Sequence, residues 1–256
     1  MHRFYLPPNE CQSGPLILRG TEAHHALHVL RLRPGEEVTV LNGTGGEFLC
    51  EVRDCHRDTV ELHTLEKRDI APLPYKITLL QAIPKGKIIE AIIQKATELG
   101  VSRIVPLLSE RVATRLDDDD AKSKAEKWQH VAIEAIKQCG SAWLPSVEKP
   151  VTPAEFLARG EIFELPLIAS LQPGSRHPRG YFDAFQKERN RAPESVCIWV
   201  GPEGDFTRDE VLAAENAGAK PVTLGRLVLR SETAAIYCLS FLNYELQARA
   251  ENRFAA

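Results

Sequence analysis

Val196-Cys197-Ile198-Trp199-Val200-Gly201-Pro202-Glu203-Gly204-Asp205-Phe206 is the first half of the stretch that decides the fold; Pro221-Val222-Thr223-Leu224-Gly225-Arg226-Leu227-Val228-Leu229-Arg230-Ser231-Glu232-Thr233 is the second. Each half is an apolar, strand-like run that ends in a glycine-bearing turn and continues into a helix start. Thr207 with Glu210 is a capping-box pattern, so the helix after the first turn begins there. Ser231 stands where it would cap an apolar helix over 232–246. Gly201 and Gly204 let a ligand approach the main chain, and Pro202 stiffens the turn between them. In open α/β sheets ligands bind at such strand ends, and free amides at a helix start favour an anionic group.

Working outward, the strand–helix alternation extends back to residue 75. A strand over 77–83 leads through Pro84-Lys85-Gly86-Lys87 into a helix whose Ile88, Ile89, Ile92, Ile93, Ala96 and Leu99 follow the i, i+3, i+4 spacing. Gly100 ends that helix, and a strand starts at Arg103. Asp117 to Asp120 open a long helix that runs through Cys139, and further strands are expected over 165–171, 196–200 and 221–224. This alternation predicts a largely parallel sheet with helices on both faces.

Residues 1–70 read differently. Short strands over 4–6, 16–18, 38–41, 47–52 and 59–65, with Asn42-Gly43 and Gly45-Gly46 as turns and one helix over 21–30, predict a small, mostly antiparallel barrel. A polar, proline-bearing segment, 67–74, is the expected linker.

Composition bounds the function. The chain has 256 residues, 43% of them hydrophobic, enough for one large core or two modest ones. No apolar run approaches the roughly 20 residues that span a bilayer. Met1 to Pro8 lack the apolar core of a secretory signal, so a cytoplasmic location is expected. The net charge of −3 argues mildly against a nucleic-acid partner, and residues 1–70 carry eight Lys or Arg against eleven Asp or Glu. An RNA surface would therefore be a local patch, with Arg3, Arg19, Arg31 and Arg33 as candidates beside His24, His25 and His28. Cys50, Cys55 and His56 come nearest to a metal cluster, yet strand alternation points them to different faces, and no metal is expected.

The paired motifs Gly-Pro-Glu-Gly-Asp-Phe at 201–206 and Leu-Gly-x-x-Val-Leu-Arg-Ser-Glu-Thr-Ala at 224–234 resemble the signature of the SPOUT-class methyltransferases that modify N3 of a uridine in 16S ribosomal RNA. The opening Arg3-Phe4-Tyr5-Leu6-Pro7 and the run 22–35 are similar to that family's N-terminal PUA-like RNA-binding domain. Gln81-x-x-Pro84-Lys85-Gly86, the run 94–101, Glu110-Arg111 and Glu134-Ala135-x-x-Gln138 look like its other landmarks. Only the two C-terminal motifs are highly specific. The resemblance implies a PUA-like β-barrel over 1–70 and a SPOUT α/β domain over 75–256, with a mostly parallel sheet, a C-terminal trefoil knot and a homodimer built on the knotted region. It also implies S-adenosylmethionine as methyl donor and 16S rRNA as partner, either bare or within the assembled small subunit. Leu171, Gly201, Glu203, Gly204, Leu224, Gly225, Leu229 and Ser231 would then hold the cofactor. Arg230, Glu203 and Glu232 would be catalytic, with Arg230 stabilising charge on the uracil carbonyls and a carboxylate taking or orienting the proton.

Arg3, His25, Arg31, Arg33, Lys85 and Arg111 would contact RNA, although Lys85 and Lys87 fit a helix-start surface charge equally well. One departure is plain. The family has an arginine soon after the residue matching Gln138, whereas this chain reads Cys139-Gly140-Ser141-Ala142-Trp143, leaving that role absent or with Arg111 or Arg115. Rival readings are a methyltransferase of another RNA and a non-catalytic RNA-binding module, which would not need both C-terminal turns. A nicotinamide dehydrogenase would require Gly-x-Gly-x-x-Gly after the first α/β strand, and Pro84-Lys85-Gly86 supplies none.

Overall fold

The computed structural model describes residues 1–12, 14–112 and 118–254, with side chains through Arg249. Arg115 and Asp117 lie outside the described residues. Contacts divide the chain into two units: Met1–Pro72 with Ile133–Leu144, and Leu73–Ala132 with Pro145–Ala256. The segment Ile133–Leu144 thus packs with the first unit, although it comes after the start of the α/β part in sequence.

In the first unit, strands β1 (His2–Tyr5), β2 (Leu16–Leu18), β3 (Glu37–Leu41), β4 (Gly46–Cys55) and β5 (Val60–Asp69) form one sheet in the order β1-β3-β4-β5-β2. Every pairing is antiparallel except β1 with β3. No ladder joins β1 to β2 among the described residues, so the sheet is open along that seam and is not closed by hydrogen bonds. Residues 67–69, expected in the linker, extend β5 instead. Lys67 pairs with Phe48 in register, and its ammonium lies 5.8 Å from the ring centroid, so the stem covers apolar surface while the charge stays wet. Inward residues Phe4, Leu18, Val38, Val40, Cys50, Val52, Val60 and Leu62 make the core at 0–1% exposure.

The helix expected over 21–30 begins as α1 (Gly20–His24) and continues with π-helical pairing through His25–Leu30, ending at Arg31 in the left-handed conformation. A π segment adds a residue per turn and so rotates the side chains beyond it about the helix axis. His24 and His28 still stack, with ring centroids 4.8 Å apart. Lys137, buried in this unit, is held by Glu22 at 2.8 Å and Glu134 at 2.9 Å; burial alone would lower its pKa, but these two carboxylates outweigh it and raise it.

The second unit is a six-stranded sheet ordered β11-β9-β10-β6-β7-β8, formed by β6 (Lys76–Ala82), β7 (Arg103–Leu107), β8 (Ser146–Val147), β9 (Leu165–Ala169), β10 (Ser195–Val200) and β11 (Lys220–Val222). All its ladders are parallel. Both faces are covered. Leu80, Val105, Ile168, Cys197 and Trp199 pack with Phe156 of α4 (Pro153–Ala158) and Val211 and Ala214 of α6 (Arg208–Asn216). Residues of the opposite parity, Ile77, Leu79, Ile104, Leu167, Val196 and Ile198, are fully buried as well. The remaining helices are α2 (Ile88–Glu98), α3 (Asp118–Cys139), α5 (Pro178–Arg189) and α7 (Ser231–Phe254), and α2 packs on α7. No helix among the described residues is long and apolar enough to cross a membrane.

A carboxylate clamp joins the starts of β9 and β10. Glu164 accepts both guanidinium nitrogens of Arg191 and, at 2.6 Å, the Glu194 amide. The Arg191 hydrogen bonds hold its pKa down at about 2 against an ordinary 4.5. A depressed folded-state pKa gives stability that is present above the unfolded value and lost as pH falls through the folded one. Glu164→Gln should therefore melt about 2–4 °C below the parent at pH 7, the scale of a partly exposed pair worth ~1 kcal/mol. That gap should close as pH drops from about 4.5 to 2, which differential scanning calorimetry across the range will check.

Candidate active site

The C-terminal ends of β9, β10 and β11 converge with the start of α7. There they line a cleft that is open to solvent, in the place where open α/β sheets bind ligands. From the end of β9 and beyond it come Ala169, Ser170 and Leu171; after β10, Gly201, Pro202, Glu203 and Asp205; after β11, Leu224, Gly225, Leu227, Val228 and Leu229; and from α7, Ser231 and Ala234. Of the eight residues expected to hold a cofactor, all but Gly204 line this cleft. Gly204 stands beside it, its carbonyl accepting from Arg111 Nη1.

The turn after β10 is fixed from several sides. Phe206 is 2% exposed and packs edge-on against Trp199, 6.1 Å between centroids, so the turn is anchored in the core. Thr207 and Glu210 form the expected capping box. Glu210 also uses its second oxygen to accept the Glu110 amide at 2.9 Å, tying the loop after β7 to this helix start. Glu203 Oε1 accepts the Lys85 amide at 3.0 Å, bringing the Pro84-Lys85-Gly86 turn to the same corner.

Ser231 does a different job from the one its position suggests. It is the first residue of α7, and the first helical bond runs from the Ala234 amide to the Arg230 carbonyl, so Arg230 holds the N-cap position. The Ser231 hydroxyl instead donates to the Gly201 carbonyl at 2.8 Å and accepts from Gln81 Nε2 at 3.0 Å. Gln81, wholly buried at the end of β6, thus sets the hydroxyl that pins Gly201. Sequence reasoning placed Gln81 among the landmarks and missed this role; a lone amide in the apolar strand Ile77-Thr78-Leu79-Leu80-Gln81-Ala82 was the signal present.

Among the proposed catalytic residues, Arg230 is exposed and Glu232 partly so. No hydrogen bond or ion pair joins them or engages either side chain among the described residues, so Arg230 is not consumed by its neighbour. Glu203 is engaged by Lys85. Of the residues expected to meet RNA, Lys85 and Arg111 lie at the Glu203-Gly204 turn. The other four belong to the first unit. There Arg3 donates to the Lys137 and Gln138 carbonyls at the end of α3, at 3.3 and 3.1 Å, against Gly140. This guanidinium at a helix C-terminus has a structural duty. His25 packs edge-on to Phe4, Arg31 carries the left-handed cap, and Arg33 is exposed. All six cysteines are free thiols, and burial pushes Cys197 up to about 12 and Cys50 up to about 11. No group of three or more His, Cys, Asp or Glu converges among the described residues.

The family models decide the relationship. The model of the RNA methyltransferase domain matches residues 71–243, and that of the RNA methyltransferase PUA domain matches 18–65. The chain belongs to the RNA methyltransferase family. A ribosomal RNA small subunit methyltransferase E from Synechocystis sp. is 32% identical over 248 residues, covering 96% of this chain and 78% of that protein. One from Bacillus subtilis is 30% identical, covering 96% and 98%. Among solved structures, a Legionella pneumophila methyltransferase in complex with the bound cofactor SAM is 33% identical with a TM-score of 0.84, covering 96% of each chain. A ribosomal RNA small subunit methyltransferase E from Neisseria gonorrhoeae bound to S-adenosyl methionine is 30% identical with a TM-score of 0.81, covering 95% and 97%. The PUA match thus falls in the first unit, and the methyltransferase match falls in the second except for residues 71–72 and Ile133–Leu144, which pack with the first.

The cleft's own residues fit an adenosyl-methionine group. Leu171, Leu227 and Val228 expose 63%, 77% and 76% of their surface at its wall, apolar area suited to an aromatic base and a thioether chain. The backbone amides of residues 226–229 donate to no backbone carbonyl among the described residues, so the wall also offers donors. Gly225, at φ 112, has nothing within 4 Å of where a Cβ would stand, an open approach to main chain.

Proposed function

We propose that this protein is an S-adenosylmethionine-dependent methyltransferase that methylates N3 of one uridine in 16S ribosomal RNA. The observation that carries the reading is the cleft at the ends of β9, β10 and β11, with unengaged Arg230 and Glu232 at its α7 rim. The names of the relatives in Synechocystis and Bacillus subtilis support the substrate class, and the two cofactor-bound structures support the donor. The cofactor, held by Leu171, Gly201, Glu203, Gly204, Leu224, Gly225, Leu229 and Ser231, supplies a methyl group already activated on a sulfonium.

The chain's own residues then do the rest. Uracil N3 bears a proton and becomes nucleophilic as that proton leaves and negative charge spreads onto the flanking carbonyl oxygens. Arg230 supplies a permanent cation for that charge, with a planar fork that donates to carbonyl oxygens. Glu232 takes the proton. Glu203, committed to the Lys85 amide, braces the turn that forms the cofactor wall. Lys85 and Arg111, at the same corner, meet the phosphates of the incoming RNA.

The reading includes a SPOUT-class trefoil knot at the C-terminal end, a homodimer built on that region and work in the cytoplasm on the small subunit's RNA. Supporting the dimer, α7 exposes Tyr237 at 47% and Tyr244 at 73% on the side away from its buried Cys238, Leu239, Leu242 and Leu246. The test is transfer of labelled methyl from S-adenosylmethionine to small ribosomal subunits and to naked 16S RNA, with the product base identified by mass spectrometry. N3-methyluridine at a single site is expected. Transfer to another base or RNA class would move the substrate, and absence of cofactor binding would leave only an RNA-binding module.

A further inference from the structure

Of the three tryptophans, Trp128 and Trp199 are buried in the second unit, whereas Trp143 is 39% exposed in the first. Its ring is nevertheless fixed. The indole Nε1–H donates to the Ile70 carbonyl at 2.9 Å, and Gly45 abuts the six-membered ring so closely that a Cβ there would stand 2.8 Å from Cζ2 and 3.1 Å from Cε2. The main chain is held as well. Trp143 bridges to Thr44, its amide donates to the Ser141 hydroxyl while its carbonyl accepts from it, and the Gly45 amide donates to the Ala142 carbonyl. An indole pinned in this way without being buried offers apolar surface that a planar partner can cover at little cost in ordering.

Arg3 stands against the same segment. Its Nη1 donates to the Lys137 and Gln138 carbonyls, and its guanidinium lies against Gly140, three residues before Trp143. No carboxylate pairs with it among the described residues, so its charge is not neutralised there. A rigid aromatic ring beside a positive charge is the combination that holds single-stranded nucleic acid, the ring for a base and the charge for the backbone. The segment that carries them lies outside the PUA match at 18–65, yet it packs with the first unit. Resting on the substrate reading above, we propose that Trp143 is a stacking platform for one unpaired base of the 16S RNA, with Arg3 supplying positive charge to the adjoining backbone. The base is an unpaired one, because a duplex keeps its base faces stacked inside.

Two variants and one spectroscopic measurement test this on the full chain. Trp143→Phe and Trp143→Leu both lose the hydrogen bond to Ile70, and only the second loses the aromatic face. Trp143→Leu should raise the Kd for naked 16S RNA about tenfold in filter binding, the scale of one lost base–aromatic stack, and Trp143→Phe should stay within about threefold of the parent. A merely structural ring predicts the same defect in both variants, and equal affinities of the two overturn the proposal. In the unmutated protein, acrylamide quenching of tryptophan emission reports on Trp143, since the other two tryptophans are buried. Saturation with 16S RNA should reduce that quenching, and unchanged quenching overturns the proposal even where a variant fails to fold. Small ribosomal subunits serve as the second ligand. Binding, or a Trp143→Leu defect, that is confined to subunits puts a ribosomal protein on the ring and overturns the base contact. Failure of the unmutated protein to bind either ligand overturns the substrate reading and this one with it.

Discussion

Arg230→Ala should lower kcat for methyl transfer by about 10²–10³, the cost of removing one donor from a developing anion. It should leave the Kd for S-adenosylmethionine within about twofold and the melting temperature unchanged. The geometry separates these quantities. The Arg230 side chain is exposed and bonds to no other described residue, so nothing in the fold leans on its guanidinium. Its backbone carbonyl accepts the Ala234 amide at the start of α7, and alanine keeps that carbonyl. Arg230→Lys should recover only part of the rate, because an ammonium retains the charge and loses the planar fork. Single-turnover kinetics with labelled cofactor, beside calorimetric titration of the same variants, will read rate and affinity apart. A variant that loses cofactor affinity as well would reassign Arg230 from charge stabilisation to holding the site together.

Arg230 belongs to a part of the molecule whose layout is legible in the sequence. The parallel sheet follows from apolar runs buried on both faces, and the capping box at Thr207 from two residues three apart. Seven of the eight residues expected to hold the cofactor reach one cleft because strand ends in a parallel sheet share an edge of the fold, a rule that needs no side-chain detail. What sequence could not supply was the partner of each polar group. Ser231 looked like a helix cap, yet its hydroxyl is spent on Gly201 and Gln81, contacts across 30 and 150 residues that no local pattern encodes.

Arg3 shows the same limit in the first unit. A cationic residue in an acidic stretch reads as a candidate for phosphate contact, but its guanidinium is drawn to carbonyls more than 130 residues away, at the end of α3. The open seam between β1 and β2 also escaped, because alternation reports which face a residue takes and says nothing about which strands find each other. The π-helical turn at His25–Leu30 escaped for a related reason: periodicity over so few residues fits either winding.

Gly201→Ala is expected to weaken S-adenosylmethionine binding by about thirtyfold or more and to destabilise the fold by about 1–3 kcal/mol. The cause is close approach, since Gly201 needs no positive φ. A Cβ there would stand 2.8 Å from Asp205 Oδ1, 3.1 Å from the Phe206 amide nitrogen and 3.2 Å from the Asp205 Cα. Two of these are backbone atoms, which cannot swing aside as a side-chain end can. Phe206 is locked against Trp199 in the core, so the turn cannot retreat as a body either. Strain must instead push Gly201 toward the cleft or break its bond from Ser231, and either change moves the cofactor wall. Gly225→Ala is the informative companion. Nothing lies within 4 Å of its Cβ position, but its φ of 112 is closed to alanine, so its defect is local backbone strain without a clash. A double variant combining Gly201→Ala with Asp205→Gly separates the contributions. Removing the Asp205 carboxylate abolishes the 2.8 Å contact and leaves the 3.1 Å one. Partial recovery of stability in scanning calorimetry would place the main clash on the carboxylate, and no recovery would place it on the backbone of the turn.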